Sequence, residues 1–416
     1  MKNRDFSLFR DCIQSWKSSN AYKGYVLLLI LAWLKQLAYP ATLTDSREYL
    51  QAAHNLTANG TWSVCDFAHS ECEIWLPQTR RTVGYPLWLL LTQWMWLTCL
   101  LQTILALFVP VITLRILRKA KLLFSEKLLF LLFLSFPLLF YYSPMVMPEI
   151  AVLVCILFLF SACQNRQWIS AILFLCCLVL LKPVFMPLAW LALAGVVLLP
   201  GWKKTTALLP AGLVFAFSFI NEKNTDVFHY SSIPVVNAYE YNIRPLLSDA
   251  EQFYKSGDSA MLNRTFAEKY SYMRSQTTEV LKRNMWQYLW LHLRGGLLAL
   301  IDPGRYDFVA FFQLPQAEGL MGIKEGGGLG ALVRQPRYYL FYIMVFTLFA
   351  AIRLIMAVLA LLRGPARVWW LALPVVYIVV LTGPVGSARY ILPVIPFIIA
   401  LAAAGVAYSF PKWKTS

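Results

Sequence analysis

Long apolar runs separated by short polar segments occupy most of the chain. A helix needs roughly 20 residues to cross about 30 Å of hydrocarbon, and only helices and closed barrels satisfy their backbone hydrogen bonds there. The pattern therefore predicts an all-α polytopic membrane protein with about ten transmembrane helices. In chain order, the predicted spans are about 25–37, 95–117, 128–142, 150–162, 168–181, 184–199, 206–220, 338–362, 369–383 and 391–408.

Two longer polar segments interrupt this pattern, and we expect both to lie outside the cytoplasm with juxtamembrane or interfacial helices. They divide the chain into residues 1–220, an N-terminal transmembrane catalytic module that includes the first external loop 41–93; residues 221–337, an extracytoplasmic loop; and residues 338–416, the C-terminal transmembrane helices. The second loop has nearly balanced acids and bases, which is typical of a translocated segment.

Residues 285–301 inside the second loop are apolar but contain His292 and Arg294. They fit either a further span or an interfacial helix with Trp286 and Trp290 at the level of the lipid headgroups. We expect the interfacial arrangement, because the later spans then place the bases at 363 and 367 inside and Arg389 outside.

The composition supports a membrane protein and gives its orientation. Hydrophobic residues make up 59% of the chain and charged residues 14%, whereas a soluble domain usually has about 25% charged residues. The net charge of +16 comes from bases that cluster beside helix ends, which indicates positive-inside topology and contact with membrane lipids rather than nucleic acid. Basic residues near both ends of the chain predict a cytoplasmic N-terminus and C-terminus.

The cysteines give one further prediction. Five of the eight lie in apolar runs, where cysteine behaves as a small hydrophobe. Cys65 and Cys72 lie in the first polar loop, and in an oxidising compartment they could form a disulfide. We assign no metal site to the chain.

Two carboxylates at predicted external ends of spans are candidates for chemistry. Asp45 follows the first span closely and could cap a helix over Ser46–Leu56, act as a general base, or do both. Glu149 begins the fourth span, where a carboxylate faces a cavity or partner, or favours the helix dipole.

Four cations are predicted on the same side as these carboxylates. Arg80, Arg81 and Arg389 could bind a lipid-linked phosphate, because guanidinium groups offer paired donors to phosphate. Lipid headgroups or acidic side chains are the alternative partners. Lys182 at the outer end of the fifth span could support the site or extend to the interface.

The chain resembles the GT-C membrane glycosyltransferases, in particular the protein O-mannosyltransferase and lipid A aminoarabinose transferase branch. The resemblance rests on four short motifs. They are Asp45-Ser46-Arg47-Glu48-Tyr49 with Ala53; Arg81-Thr82-Val83-Gly84-Tyr85-Pro86-Leu87; Pro148-Glu149; and Arg389-Tyr390-Ile391-Leu392-Pro393 with Pro396.

What the resemblance implies is a bacterial inner-membrane enzyme whose site faces the periplasm or the outside of the cell. It would transfer a sugar, with inversion, from a polyprenyl-phosphate donor to an acceptor glycan, lipid or protein. Asp45 matches the family's acid after the first span, with Glu149 as a second site acid and Tyr49, Tyr85 and Tyr390 in support. Ser46 stands where the family often has a second acid, so a divalent metal is open but not assigned.

Two other classes of function stay open at this stage. One is a transporter or flippase for a lipid-linked or anionic solute, with Glu149, Lys182 and Arg353 as pathway charges. The other is a structural subunit of an envelope polysaccharide complex. The absence of a detectable internal repeat and the position of the charges in external loops favour the enzyme over the transporter.

Overall fold

The computed structural model describes residues 7–65, 75–198, 204–314 and 336–410, and within these residues it is helical with no β-strand. The predicted all-α class is confirmed. The described α-helices are α1 (Ser7–Ser18), α2 (Asn20–Ala38), α3 (Thr44–Ala58), α4 (Gly84–Thr92), α5 (Met95–Lys119), α6 (Glu126–Leu134), α7 (Leu138–Tyr142), α8 (Glu149–Gln164), α9 (Trp168–Leu181), α10 (Met186–Leu198), α11 (Lys204–Thr225), α12 (Ile233–Asn237), α13 (Ala250–Met261), α14 (Phe266–Arg283), α15 (Met285–Ile301), α16 (Arg305–Phe312), α17 (Arg337–Arg363), α18 (Trp369–Thr382), α19 (Ala388–Ile391) and α20 (Ile395–Ser409).

Five helical stretches of the described chain are long and apolar enough to cross a membrane: Asn20–Ala38, Met95–Lys119, Arg337–Arg363, Ala366–Val385 and Ala388–Ser409. Three shorter apolar helices, Glu149–Gln164, Trp168–Leu181 and Pro183–Gly195, accompany them. The membrane character of the chain is therefore supported, and the total of ten spans stays a prediction.

The helix at the centre of the bundle is α20, most of whose residues are buried. It packs most extensively on α17 and also contacts α5, α6 and α18. A Cβ atom at Gly405 would lie 1.8 Å from the carbonyl oxygen of Met356, so only glycine allows the two backbones to approach this closely.

The predicted third span, 128–142, is two helices rather than one. Helix α6 ends at Leu134 and α7 begins at Leu138, because Pro137 has no N–H and its ring obstructs the preceding turn. The break frees the Ser135 carbonyl, which accepts a hydrogen bond from Arg353 Nη1 at 2.6 Å. Arg353 also contacts Ser135 Oγ at 2.7 Å and lies over the Phe136 ring, which accounts for a buried arginine in a long apolar helix.

Charged side chains gather at the two ends of the bundle. At one end, which we call the basic end, Arg115 binds Asp11 at 2.6 Å and Arg367 donates to the Lys121 carbonyl at 2.7 Å. The other end, which we call the site end, contains the first residues of α3, α4, α8 and α19 and the last residue of α9.

A satellite cluster of α12, α13 and α14 covers part of the site end. Its apolar core contains Leu76 from the first loop together with Val236, Tyr239, Met261 and Met273. Helix α15 lies against the last turn of α18, where His292 Nε2 is 2.8 Å from the Val380 carbonyl oxygen. This contact fits the expected interfacial helix, which stays a prediction.

Candidate functional site

Asp45 lies inside a helix rather than at its cap. The expected cap for Ser46–Leu56 is wrong, because α3 begins at Thr44 after Leu43 in an extended conformation. Ser46 Oγ accepts a hydrogen bond from the Leu43 N–H at 3.2 Å, so Ser46 stabilises the start of the helix instead. Asp45 occupies the first turn, where the helix dipole favours a negative charge.

The charged candidates form one chain of ion pairs, which we call the ion network. Asp45 Oδ1 lies 2.7 Å from Arg81 Nη2, and Asp45 Oδ2 binds Arg389 Nη2. Arg389 Nε then binds Glu149 Oε1 at 2.8 Å, and Lys182 Nζ binds the same oxygen at 2.9 Å. Five predicted site residues, separated by up to 344 positions in sequence, are thus brought together.

Glu48 extends the ion network and was not among the predicted site residues. Its Oε2 accepts a hydrogen bond from Arg81 Nε at 2.7 Å. Arg80 Nε lies 3.3 Å from the same oxygen without hydrogen-bond geometry, so Arg80 joins the network only through Glu48. The signal was present in the sequence, because residues three apart on a helix share a face and Glu48 follows Asp45 at that spacing.

The two central arginines keep donors available. Arg81 and Arg389 each use Nε and Nη2 for carboxylates, and Nη1 of neither makes a hydrogen bond to a described residue. Four cations stand against three carboxylates in the ion network, which leaves a net charge of one positive. Carboxylates therefore orient the guanidinium groups and leave them able to bind a further anion.

The surroundings of Asp45 keep it ionised. Burial by itself would raise the pKa of Asp45, but Arg389 and Arg81 outweigh the burial and hold the pKa below its usual range. A carboxylate in this state binds and orients cations well, but it is a weak base. Its side chain is 22% exposed, so it is not sealed from the solvent.

Two of the three predicted supporting tyrosines form a buried platform under Arg81. The Arg81 guanidinium lies 4.9 Å from the centre of the Tyr49 ring, and Tyr49 packs edge-on against Tyr85 at 4.9 Å. The Tyr85 hydroxyl lies 2.6 Å from the Gln102 amide. In the amide orientation that satisfies all partners, the Gln102 amide nitrogen also donates a hydrogen bond to the Met145 carbonyl oxygen at 2.8 Å. Tyr390 is half-buried beside Arg389, and its hydroxyl makes no hydrogen bond to a described residue.

The backbone before Arg81 is held by the second loop. Thr79 Oγ1 lies 2.7 Å from His229 Nε2, the Ser232 N–H donates to the Thr79 carbonyl at 3.1 Å, and Ser232 Oγ donates to the Leu76 carbonyl at 3.0 Å. We call these contacts the clasp. They join two segments 150 positions apart in sequence, and no local pattern predicts them.

Gly84 explains part of the second motif. A Cβ atom there would lie 2.6 Å from the carbonyl carbon and oxygen of Leu180. The start of α4 therefore packs directly on the last turn of α9, two residues before Lys182. This close approach brings the Arg81 and Lys182 segments together.

A second pair of acids supports the site from residues 302–307. Asp302 Oδ2 accepts a hydrogen bond from the Ala388 N–H at 3.2 Å, at the start of the helix that contains Arg389. Asp307 is 2% exposed and accepts a hydrogen bond from the Tyr142 hydroxyl. Burial raises the pKa of Asp307 to about 6.

No group of three or more His, Cys, Asp or Glu residues within the described ranges is arranged to hold a metal ion. Cys65 is disulfide-bonded, and Cys72, its predicted partner, lies outside the described residues.

The fold and the site together define a helical membrane protein with a mostly buried ion network at one end of its bundle. Comparison with protein-family models, curated proteins and solved structures gave no match to this chain.

Proposed function

We propose that the chain is an integral membrane glycosyltransferase that moves a sugar from a polyprenyl-phosphate carrier to an acceptor hydroxyl at the site end. The acceptor would be an envelope glycan, a lipid or a protein. In this proposal the site end faces the periplasm, the basic end faces the cytoplasm, and the chain crosses the bacterial inner membrane about ten times, each crossing being roughly 30 Å.

The observation that carries the proposal is the position of Asp45 between Arg81 and Arg389, whose Nη1 atoms make no hydrogen bond to a described residue. A phosphate held there would meet two guanidinium groups whose orientation is already fixed by Asp45, Glu48 and Glu149. Hydrogen-bond donors that are already fixed lose little conformational freedom when the phosphate binds. They therefore stabilise the negative charge that develops on it effectively.

Most of the change in charge during the reaction would occur on the carrier phosphate. The acceptor oxygen attacks the anomeric carbon and loses its hydroxyl proton to water, the bond from that carbon to the phosphate oxygen breaks, and the carrier phosphate leaves with the bonding electrons. The leaving phosphate gains negative charge, so Arg81 and Arg389 would favour the transition state over the bound donor. Asp45 would keep both arginines in place and orient the acceptor hydroxyl.

The transport alternative has less support. Of its three pathway charges, Arg353 is held by Ser135 and Phe136, and Lys182 is paired with Glu149 at the site end. No continuous row of unpaired charges therefore follows the bundle in the described ranges.

Sugar transfer by the purified protein separates the three classes of function. The protein in lipid vesicles would receive radiolabelled polyprenyl-phosphate hexoses and pentoses, together with an envelope extract from a strain that lacks it. We expect label to move to the extract. Movement of the carrier across the bilayer without transfer would identify a flippase, and neither activity would identify a structural subunit.

A further inference from the structure

Arg389 lies in α19, and the start of this helix lacks the cap that its own sequence offers. Ser387 occupies the cap position with an extended backbone, and serine is a favoured cap residue. Its side chain nevertheless makes no capping hydrogen bond. The Ala388 N–H instead donates to Asp302 Oδ2 at 3.2 Å, across 86 positions of sequence. The helix that contains Arg389 is therefore capped from the second loop.

The carboxylate of Asp302 is oriented by its own surroundings. Its Oδ1 accepts hydrogen bonds from the Gly304 N–H at 3.2 Å and from Arg305 Nε at 3.1 Å, which leaves Oδ2 for α19. The side chain is 11% exposed. The next residue is fixed as well, because the Tyr342 hydroxyl donates to the Pro303 carbonyl at 2.6 Å. The two carboxylate oxygens therefore have separate roles, one that holds Asp302 and one that holds α19.

Helix α15, which directly precedes Asp302, lies on the turn that leads to α19. A Cβ atom at Gly295 would lie 2.6 Å from Pro384 Cα and 2.8 Å from the Gly383 carbonyl oxygen. The two backbones are in direct contact at this point, so α15 and the turn keep one position relative to each other. Asp302 reaches the start of α19 because α15 is seated in this way.

The cap and the ion network act on consecutive residues, Ala388 and Arg389. Arg389 bridges Asp45 and Glu149 with its Nη2 and Nε atoms, which requires the backbone of α19 to keep its place. The N–H groups of a first helical turn have no partners inside the helix, so they need partners from outside it. A backbone shift at the start of α19 would move the guanidinium group away from its carboxylates.

We propose that Asp302 is a positioning residue for Arg389, through which the second loop sets the affinity of the site for the carrier phosphate. This inference rests on the proposed function. Asp302 acts through the backbone of α19, and it neither takes a proton nor bonds to the carrier. Residues whose own orientation is fixed by hydrogen bonds are the ones that can hold a binding group in its productive geometry. Loss of the Asp302 carboxylate should therefore loosen Arg389 and weaken phosphate binding.

The test compares Asp302→Ala with Asp249→Ala in lipid vesicles. Asp249 is a matched control, because it also lies in the second loop and also caps a helix, by accepting from the Gln252 N–H at 2.9 Å, but at an exposed site. We expect D302A to weaken binding of polyprenyl phosphate and to slow sugar transfer by about tenfold each, the factor that one lost cap corresponds to. D249A should leave both quantities unchanged. Asp302→Asn, which keeps an acceptor oxygen, should stay within about threefold of the wild type.

A double-mutant cycle gives a readout that a general loss of stability would not move. If Asp302 acts through Arg389, Asp302→Ala should change phosphate binding by less than about twofold in the Arg389→Gln background, whereas two independent losses would multiply. If Arg389→Gln does not fold, Arg389→Lys replaces it, because lysine keeps the charge but lacks the paired donors of a guanidinium group.

A second variant keeps the test open if Asp302→Ala does not fold. Arg305→Ala removes one of the two groups that hold Asp302 Oδ1, at a side chain that is 27% exposed. We expect a smaller loss of phosphate binding than with Asp302→Ala, in the same direction and with the same dependence on Arg389.

The outcomes separate the two proposals. Wild-type phosphate binding by Asp302→Ala, or a loss of equal size with and without Arg389, would overturn the role of Asp302 alone. A wild type that binds polyprenyl phosphate but transfers no sugar would overturn the proposed glycosyltransferase, while the binding cycle would still decide the role of Asp302. A wild type that does not bind polyprenyl phosphate would overturn both.

Discussion

At the scale of single residues, Glu149 is a buried charge that depends on its ion-pair partners. Its side chain is fully buried, Oε1 binds both Arg389 and Lys182, and Oε2 accepts no hydrogen bond from a described residue. Removing one partner from a buried ion network leaves the other charges uncompensated, which costs far more than losing a surface pair.

Replacing Glu149 by Gln should therefore lower the free energy of unfolding by about 3 kcal/mol, because two cations would lose their shared carboxylate. The matched control is Glu126→Gln at the basic end, whose pair with Arg118 is about half exposed. Exposed pairs contribute about 0–1 kcal/mol. Unfolding of both variants in detergent measures the difference, and equal losses would show that burial does not set the strength of the ion network.

The sequence identified most residues of the ion network but not their pairing. Asp45, Arg81, Glu149 and Arg389 could be chosen because charge is scarce in this chain and these charges border apolar runs. Glu48 was not chosen, although it follows Asp45 by three positions and so shares its helix face. Which carboxylate meets which arginine depends on contacts between distant segments.

At the scale of elements, the clasp is the connection that aligns the first loop with the second. His229 is buried, with Nδ1 2.8 Å from the Val227 carbonyl oxygen and Nε2 2.7 Å from Thr79 Oγ1. Neutral imidazole satisfies both contacts by donating from Nδ1 and accepting at Nε2. Burial lowers the pKa of His229 and outweighs the hydrogen bond to Val227, which raises it.

This arrangement predicts a pH-dependent loss of stability. The unfolded chain binds a proton at His229 more readily than the folded chain, so stability should fall as the pH drops below about 6.5, by at most about 1.4 kcal/mol per pH unit. Thermal unfolding from pH 8 to pH 5 would measure this slope. His229→Gln should be less stable at pH 8 and should lose this part of the slope; an unchanged slope would place the titrating group elsewhere.

Helix boundaries followed the apolar pattern well, and the exceptions have local causes. Pro137 divides the predicted span 128–142, and the start of α3 lies one residue before Asp45 because Ser46 takes the hydrogen bond at the helix start. The clasp and the satellite cluster were not predicted, since they depend on packing between loops that have no apolar periodicity in common.

At the scale of the whole molecule, the bundle gathers charged side chains at both ends but buries them to different extents. The basic end contains exposed pairs such as Arg118 with Glu126, whereas the site end contains a mostly buried ion network with one excess positive charge. Under the proposed function, the buried cations at the site end would attract the carrier phosphate at one bilayer surface.

The central claim is that Asp45 holds Arg81 and Arg389 for a carrier phosphate. The most direct measurement compares sugar transfer by the wild type, Asp45→Asn and Asp226→Asn in the same vesicles. Asp226 is a matched control, because it is exposed and its left-handed backbone conformation suits asparagine as well as aspartate.

We expect Asp45→Asn to insert and fold but to lose at least about 100-fold in transfer, since misplaced donors cost that much, while Asp226→Asn keeps wild-type activity. Near-normal transfer by Asp45→Asn would contradict the account.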